Sequence, residues 1–553
     1  MKTTIIFLIN LFLLLFNNNN YGQQPIMLKD INPGEFSGIA GRFFVANNNV
    51  LFFDAGSIAT GAELWKSDGT VNGTVIVKDI IPGNGHSINS NHTPASSNGI
   101  LYFSADNGFN GIELWKSDGS ANNTVMVKDI NAFSYFHSDP RGFTNANGIM
   151  FFNATDGING FELWKSDGTL SGTKMVKDIY SSSPANNDFS SDPTQLTNVN
   201  ETLFFGAVEP VHGYELWKSD GSVTGTVMVK NINSNNSVLS GNSGLRFLTN
   251  VNGTLFFAAD NGINGFELWK SDGSEAGTVM VKEIFPGNSM QFGYSSFINN
   301  ITNVNGIIFF SACGSLNNSE LWKSDGTAAG TVKVKEINAT TGSSPSNLTN
   351  INGILYFSAN DGINGIEPWK SDGTESGTMM VKNLNPGAMN SDPTSFVNIN
   401  GTAYFTANDG NGPELFKTDG TAIGTTDFNL STPTSGGIAN LINLNGILIF
   451  AHVTQLYGRE LWGLDTNSLS NSDNKINDNK FSIFPNPANN MLTIYNLENK
   501  SIDKIEILDL TGKKVLEQKN NSNTINVENL QNGMYLLQII SDGKNSVSKF
   551  IKN

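Results

Sequence analysis

The stretch "ELWKSDGT" at Glu63–Thr70 recurs almost unchanged along the chain, beginning again at residues 113, 162, 215, 267 and 320. Degenerate copies follow as "EPWKSDGT" at 367, "ELFKTDGT" at 414 and "ELWGLD" at 460. A catalytic site is needed once, whereas a structural unit is needed as often as the architecture repeats. Nine copies of one segment therefore indicate a repeat protein.

The spacing inside each unit is nearly constant. An apolar "LFF"-type strand (strand B) begins 12 residues before the Glu of "ELW" (strand C) in eight of nine copies, and a "VKDI"-type strand (strand D) has its Val 14 residues after that Glu in seven. Asn-Gly precedes strand B in seven units and predicts a type I′ hairpin with a preceding strand A. Four antiparallel strands with a period near 50 residues are typical of a β-propeller blade.

The two ends of the array complement each other. No "VKDI" segment follows Glu460, whereas an orphan "MLKDI" lies at Met27–Ile31, before the first "ELW". We expect this N-terminal strand to supply the missing D strand, because closure removes the exposed edges of an open array. The predicted fold is all-β: a closed nine-bladed β-propeller of four-stranded antiparallel blades over residues 23–465.

Residue types in strands C and D predict how the blades pack. The aromatic residue of "ELW" is interpreted as a wedge between blades rather than as a ligand platform. We expect the Glu of strand C to pair with the Lys of strand D, for example Lys78, Lys128 and Lys177, because an unpaired buried charge is costly. Pro368 is expected where no ladder bond is donated. The tryptophan positions are Trp65, Trp115, Trp164, Trp217, Trp269, Trp322, Trp369 and Trp462, with Phe416 in the eighth copy.

Composition excludes several classes of partner. The 553 residues carry a net charge of −16 and contain no basic run, which disfavours nucleic acid and anionic membrane surfaces. The five histidines match no metal-ligand spacing, and the "DGING" loops favour a Gly/Asn turn over a calcium site. Cys313 is the only cysteine and follows an apolar run, so we expect it to be buried. We predict no metal, cofactor or catalytic residue.

The N-terminus predicts export. Lys2 precedes an apolar run at Ile5–Phe16 and then a polar stretch, a pattern typical of a secretory signal peptide over residues 1–22. A run of twelve residues is too short for a stable membrane-spanning helix, and no other segment is long and apolar enough after signal cleavage.

The tail forms a separate module after an Asn/Ser-rich linker at 466–480. Alternating apolar residues in 481–553 predict a small antiparallel, immunoglobulin-like sandwich. The module resembles the C-terminal sorting domain of type IX secretion in Bacteroidetes, which implies the secretion machinery as partner and a secreted or surface-attached product. The matching motif residues are Phe484, Pro485, Asn486, Pro487, Gly512, Gly533, Tyr535, Lys549 and Phe550.

The repeat itself resembles the ELWxxDGT-repeat family of secreted bacterial proteins over about residues 27–465. That resemblance implies a β-rich surface protein and brings no catalytic residue with it.

Three functions remain open. The first is a non-enzymatic propeller that binds an extracellular glycan or protein, the second a polysaccharide hydrolase or lyase, and the third a passive structural protein. His212 with Glu209 is the most irregular polar spot, and a loop variant is the preferred interpretation. Any ligand is expected on the face that carries the B–C and D–A connections, where loop length varies. The candidate ligand loop is Asn131–Gly142, with Tyr135 and Phe136.

Overall fold

A computed structural model describes residues 25–88, 92–133, 136–181, 190–234, 242–286, 295–428, 430, 437–466, 481–484, 488–496, 502–509, 513–519, 524–541 and 544–552. The chain divides into two compact units, one formed by Pro25–Leu464 and the other including Asp465–Asn553. The described residues contain strands and no helix, which confirms the all-β prediction.

The first unit is built from short antiparallel strands. In chain order they are β1 (Ile26–Lys29), β2 (Ile39–Asn47), β3 (Val50–Ser57), β4 (Gly61–Ser67), β5 (Val75–Lys78), β6 (Ala95–Ser97), β7 (Ile100–Asp106), β8 (Ile112–Ser117), β9 (Val125–Lys128), β10 (Arg141–Ala146), β11 (Ile149–Thr155), β12 (Phe161–Ser166), β13 (Lys174–Lys177), β14 (Thr194–Val199), β15 (Thr202–Glu209), β16 (Gly213–Ser219), β17 (Val227–Lys230), β18 (Arg246–Val251), β19 (Thr254–Asp260), β20 (Phe266–Ser271), β21 (Val279–Lys282), β22 (Asn299–Val304), β23 (Ile307–Cys313), β24 (Ser319–Ser324), β25 (Val332–Lys335), β26 (Ser346–Ile351), β27 (Ile354–Asn360), β28 (Ile366–Ser371), β29 (Met379–Met380), β30 (Thr394–Ile399), β31 (Thr402–Asn408), β32 (Pro413–Thr418), β33 (Thr426–Asp427), β34 (Ile438–Leu444), β35 (Ile447–Thr454) and β36 (Gly458–Asp465).

The strands form four-stranded sheets in the order A, B, C, D. Sheets 1 to 8 take successive groups of four from β2–β5 to β30–β33, and sheet 9 contains β34, β35, β36 and β1. In sheet 9, β1 runs antiparallel to β36, with Ile26 opposite Gly463 and Met27 opposite Trp462. The four-stranded antiparallel unit is thus confirmed within the described residues.

The A–B hairpins follow from local turn chemistry. In sheet 5, Asn252 and Gly253 have φ angles of 50° and 85°, the left-handed values that a type I′ turn requires. Sheet 4 makes the same turn with Asn200 and Glu201, at φ 49° and 66°. Glycine is therefore favoured at this position but is not obligatory.

Successive sheets pack face to face through the aromatic residue of strand C. Trp115 of sheet 2 is buried in a cluster with Phe52 and Leu64 of sheet 1 and with Leu101 and Phe103 of its own sheet. The corresponding residue joins neighbouring sheets in the same way for Trp65, Trp164, Trp217, Trp269, Trp322, Trp369 and Phe416. Trp462 is half-buried, and the edge of His452 lies against its ring at 5.2 Å between centroids.

From sheet 2 to sheet 9, neighbouring A strands lie side by side, which gives a propeller-like arrangement. Strand β34 of sheet 9 also lies beside β2 of sheet 1, and the Asn440 Nδ2 donates to the Gly41 carbonyl at 3.4 Å. Leu28, Phe53 and Leu444 share one buried cluster, so β1, sheet 1 and sheet 9 have a common core.

The predicted pairing of strand C Glu with strand D Lys is wrong. The Nζ of Lys78 donates instead to the carbonyl of Thr124 in the next sheet at 2.8 Å, and Lys128 reaches Thr173 at 2.9 Å. The Lys of strand C also points forward, as Lys66 does to the Gly119 carbonyl at 2.9 Å. We call these contacts the lysine latches. They satisfy turn carbonyls at the boundary between sheets, which a side chain turned back towards Glu could not reach.

Pro368 lies inside β28 rather than at a free position. In sheet 1 the corresponding Leu64 is paired with Lys78 of strand D, whereas in sheet 7 the pairing begins only at Trp369 and Met380. Because proline has no N–H, it still accepts from Val381 through its carbonyl at 2.8 Å but cannot return the bond. Strand D has two residues in sheet 7, but it also has two in sheet 8, where Leu415 stands at this position, so the proline alone does not explain the short strand. Cys313 is buried, as predicted.

The second unit has two antiparallel sheets around one core. Its strands are β37 (Phe481–Phe484), β38 (Met491–Asn496), β39 (Lys504–Leu508), β40 (Lys514–Gln518), β41 (Thr524–Asn526), β42 (Gly533–Ser541) and β43 (Lys544–Lys552). The sheet orders are β37-β38-β41 and β40-β39-β42-β43. Leu492 and Ile525 of one sheet pack with Ile507, Leu537 and Phe550 of the other.

Some sorting-motif residues can be placed in this unit. Gly533 pairs with Lys552, and the Tyr535 ring stacks on the buried Phe550 ring at 5.7 Å. Phe484 and Lys549 lie in strands, whereas Pro485, Asn486, Pro487 and Gly512 lie outside the described residues.

Candidate functional site

The end of the sheets that carries the A–B and C–D turns, here called the turn end, is chemically uniform. In the "SDGT" turn, Asp68 Oδ1 accepts from the Thr70 N–H at 2.9 Å and from the Thr70 hydroxyl at 2.7 Å. These bonds, the hydroxyl foremost, lower the pKa of Asp68. The same arrangement occurs at Asp118, Asp167, Asp220, Asp272, Asp325, Asp372 and Asp419. In each of these turns the Oδ1 atom of the Asp is used for bonds inside the turn, which indicates a structural role.

The opposite end, here called the loop end, carries the B–C and D–A connections. In the "DGING" loop, Asp156 Oδ1 accepts from the N–H groups of Ile158 and Asn159, both at 2.9 Å, and Oδ2 accepts from Asn159 Nδ2 at 2.8 Å. Asp156 therefore holds its own turn together, as an Asx-type turn does. Among the described residues, no group of three or more His, Cys, Asp or Glu side chains is placed to hold a metal ion.

The Glu of strand C anchors the D–A connections from below. Glu162 is fully buried and accepts from the N–H groups of Ile179 at 2.9 Å and Tyr180 at 3.3 Å. It also accepts from the N–H and hydroxyl of Ser191, at 3.1 and 2.6 Å, at the start of the next sheet. One carboxyl thus ties down both ends of a loop-end connection, and backbone donors take the place of the expected lysine.

Burial dominates the electrostatics of these carboxyls. It raises the pKa to about 7 for Glu113, Glu162, Glu215, Glu267 and Glu460, against the hydrogen bonds, which lower it. It also raises the pKa of Glu63, Glu367 and Glu414. A carboxyl without a compensating cation is expected to behave in this way.

Histidines at the loop end have structural partners. His137 Nδ1 accepts from the Ile112 N–H at 2.7 Å, and His86 Nδ1 accepts from the Ala62 N–H at 2.9 Å. His212 Nδ1 lies 2.5 Å from Glu209 Oε1, and the other Glu209 oxygen accepts from the Val211 N–H at 3.1 Å. Glu209 therefore folds the B–C loop of sheet 4, which fits the loop-variant interpretation of this pair.

The loop end of sheets 2 to 4 carries a row of ionisable side chains that contact one another. The row contains His92, Asp139, Arg141 and Asp192 and is here called the charged row. Arg141 Nη2 lies 2.8 Å from Asp192 Oδ1, and Arg141 Nη1 lies 3.4 Å from Asp139 Oδ2. His92 Nδ1 lies 3.5 Å from Asp139 Oδ1. Asn153 Nδ2 donates to Asp192 Oδ1 at 2.9 Å. All four ionisable side chains are partly exposed, so the row is open to solvent.

Exposed aromatic side chains occur on the B–C loop of sheet 2 and on the D–A connection that leads to Asp139. Phe109, Phe133 and Phe136 are 74%, 54% and 63% exposed. The Phe136 N–H donates to the Phe133 carbonyl at 3.0 Å, and the Asp139 N–H donates to Ile112 at the foot of the loop that carries Phe109. The two loops are therefore bonded together. Tyr135 lies outside the described residues.

Sequence reasoning singled out the loop and Phe136 but missed Phe109, Phe133, His92, Asp139, Arg141 and Asp192. The sequence did contain a signal for these residues. Charged residues occur at the start of strand A in only some of the repeats, so their positions differ from the repeat pattern. What the sequence could not show is that the first residues of successive A strands lie side by side.

The fold and site define an all-β, propeller-like protein with a uniform turn end and a specialised loop end, followed by a separate β-sandwich tail. The described residues contain no helix that is long and apolar enough to cross a membrane. Residues 482–553 match the model of the secretion system C-terminal sorting domain, the type IX sorting domain predicted for the tail. This domain directs export to the cell surface or secretion.

Similarity elsewhere is partial. The chain is 32% identical over 109 residues to an ulvan lyase, NLR42, of Nonlabens ulvanivorans, covering 19% of this chain and 20% of that protein. It therefore spans about a fifth of that relative's length. The arrangement of the sheets is similar to PorZ, a surface component of the type IX secretion system of Porphyromonas gingivalis, with a TM-score of 0.35, 12% identity and coverage of 93% and 75% of the two chains. A puromycin hydrolase gives a TM-score of 0.34 at 13% identity, covering 79% and 61%.

Proposed function

We propose that this chain is an exported, non-enzymatic binding protein whose nine sheets form one closed β-propeller, with a carbohydrate- or protein-binding surface at the loop end. The observation that carries the proposal is the local break in the repeat. A charged row and three exposed phenylalanines occur on neighbouring connections of sheets 2 to 4, whereas the B–C loop position of Phe109 carries an exposed aliphatic residue in other sheets, for example Ile158 and Ile263. Variable groups on a rigid scaffold are typical of binding sites.

Ring closure is supported by the pairing of β1 with β36 and by the core that both share with sheet 1. Leu28 of β1 is 1% exposed within that core. Leu28→Ala should lower the free energy of unfolding by about 2–5 kcal/mol, as expected for a buried leucine. Leu170→Ala, at a 67% exposed position on the turn end, is the control. Equal melting temperatures for both variants and the parent would contradict closure by β1.

Binding at the loop end is tested with the full chain on a glycan array and in pull-downs from extracellular material. Phe136→Ala and Tyr135→Ala should weaken binding of the captured ligand, whereas Leu170→Ala on the turn end should leave binding unchanged. A ligand that is lost only in the turn-end variant would move the site to the other end. Absence of any ligand would favour the passive structural role instead.

A polysaccharide-degrading enzyme is the alternative, and the partial similarity to an ulvan lyase is compatible with it. Its constellation would be His92 with Asp139, Arg141 and Asp192, where two carboxylates lie on one guanidinium. Both acids are held in ion pairs, an arrangement that suits binding better than proton transfer. Turnover of ulvan or another polysaccharide, lost in His92→Ala, would replace the binding proposal.

A further inference from the structure

The charged and aromatic side chains of sheets 2 to 4 indicate which chemical class of ligand could bind at the loop end. We infer that this surface binds an uncharged polysaccharide, whose sugar faces stack on Phe109 and Phe136 and whose hydroxyls bond to Asp139, Arg141 and Asp192. The inference rests on the proposed function and names its ligand.

The aromatic groups supply flat apolar faces without a structural duty. Phe109 and Phe136 are mostly exposed, on loops already held by the Asn107 side chain and by backbone bonds to Ile112. An exposed apolar side chain recurs at the position of Phe109 in other B–C loops, as at Ile158 and Ile263, but among these loops sheet 2 is the one in which it is aromatic and is followed by a D–A connection with two further exposed phenylalanines. Because the C–H face of a sugar ring is apolar, a phenyl face is a suitable platform for it.

The polar side chains of the charged row can bind the hydroxyl groups of a sugar, because a hydroxyl both donates and accepts hydrogen bonds. Arg141 has five N–H donors, and only some of them are used in its contacts with Asp139 and Asp192. Its guanidinium is fixed from below by the Phe161 ring, at 4.2 Å from the ring centroid. Each aspartate has acceptor capacity beyond its ion pair. Fixed donors and acceptors beside an apolar platform orient a ligand as polar groups do in small-molecule sites.

Charge argues against an ionic ligand. Arg141 lies between two carboxylates, so the row carries no positive surplus that could attract a sulfated or carboxylated chain. The net charge of −16 repels such polyanions further. The aromatic groups and the charged row extend over loops of more than one sheet, which suits a polymer better than a single sugar.

The experiment measures binding of the full chain to laminarin, galactomannan and ulvan by affinity electrophoresis and calorimetry. We expect binding to one of the two uncharged polymers and none to ulvan. Phe109→Ala and Phe136→Ala should each weaken binding by at least about tenfold, as aromatic hot-spot residues do. Phe297→Ala, also at the loop end and 60% exposed but in sheet 6, should leave it unchanged.

Arg141→Lys keeps the charge and should still weaken binding, because Lys cannot reproduce the planar fork. Melting curves of each variant check that the fold is kept. Preference for ulvan, a protein as the sole ligand, or equal losses in Phe297→Ala would overturn this inference while leaving loop-end binding intact. If no glycan or protein binds at all, the proposed function fails with it.

Discussion

Glu162→Gln should remove part of the pH dependence of folding. Burial raises the pKa of Glu162 to about 7 from 4.5. Between these values the folded chain keeps a proton that the unfolded chain has released, so the free energy of unfolding falls as pH rises and levels off above about pH 7. At about 1.4 kcal/mol for each pH unit of this window, the loss is about 3 kcal/mol for this side chain.

Gln keeps one carbonyl acceptor, which can serve either the Ile179 N–H or the Tyr180 and Ser191 N–H groups, and it cannot ionise. Its amide donors add a cost that is the same at every pH, so the comparison is between slopes and not between absolute stabilities. The parent chain should lose about 2.5 kcal/mol more than Glu162→Gln between pH 5 and pH 8, because part of the window lies below pH 5.

Denaturant unfolding of the full chain, followed by tryptophan fluorescence at pH 5, 6, 7 and 8, measures this difference. Glu375→Gln is the control, because that side chain is exposed and should follow the parent profile. Parallel profiles for the parent and Glu162→Gln would refute the assignment of a proton to the buried carboxyl.

Three further predictions concern the boundaries between sheets and the tail. Lys128→Met should destabilise the chain by about 1 kcal/mol through loss of its bond to the Thr173 carbonyl, whereas Lys174→Met, at an exposed position, should not; denaturant midpoints decide. Trp164→Ala should cost about 3–5 kcal/mol and Trp164→Phe clearly less, because Phe416 fills the same place in sheet 8; equal losses in calorimetry would count against the wedge. Deleting 481–553 should leave the first unit in the periplasm, and fractionation that finds it in the medium would contradict the role of the sorting domain.

The blade could be predicted from sequence because its signals are local. Asn-Gly turns, apolar alternation and near-identical copies each determine structure within a few residues, and Asn252 with Gly253 adopts the predicted turn. The position of the "MLKDI" strand could also be predicted from the sequence. The last repeat lacks a strand D, and an unpaired strand of the D type precedes the first repeat.

The partners of the charged residues could not be predicted in the same way. Glu162 is satisfied by backbone N–H groups of two separate sheets, and a sequence does not show which backbone donors will surround a buried acid. The row around Arg141 was missed for a related reason, because it is formed by three segments, at His92, at Asp139 with Arg141 and at Asp192, that are about one repeat apart in the sequence and meet only when the sheets are neighbours.

The lysine latches give the array a direction. Each latch donates from one sheet to the sheet that follows it, as Lys66 does to Gly119 and Lys116 to Gly168. Such head-to-tail contacts between near-identical units are interchangeable, so a sheet could bind the wrong neighbour, or a sheet of another molecule, with almost the same contacts. Gly463 stands where the lysine would be in sheet 9, and β1 pairs there instead. The pairing of β1 with β36 has no counterpart in sheets 1 to 8, where strand D directly follows strand C in the chain, so it marks sheet 9 as different from the interchangeable units.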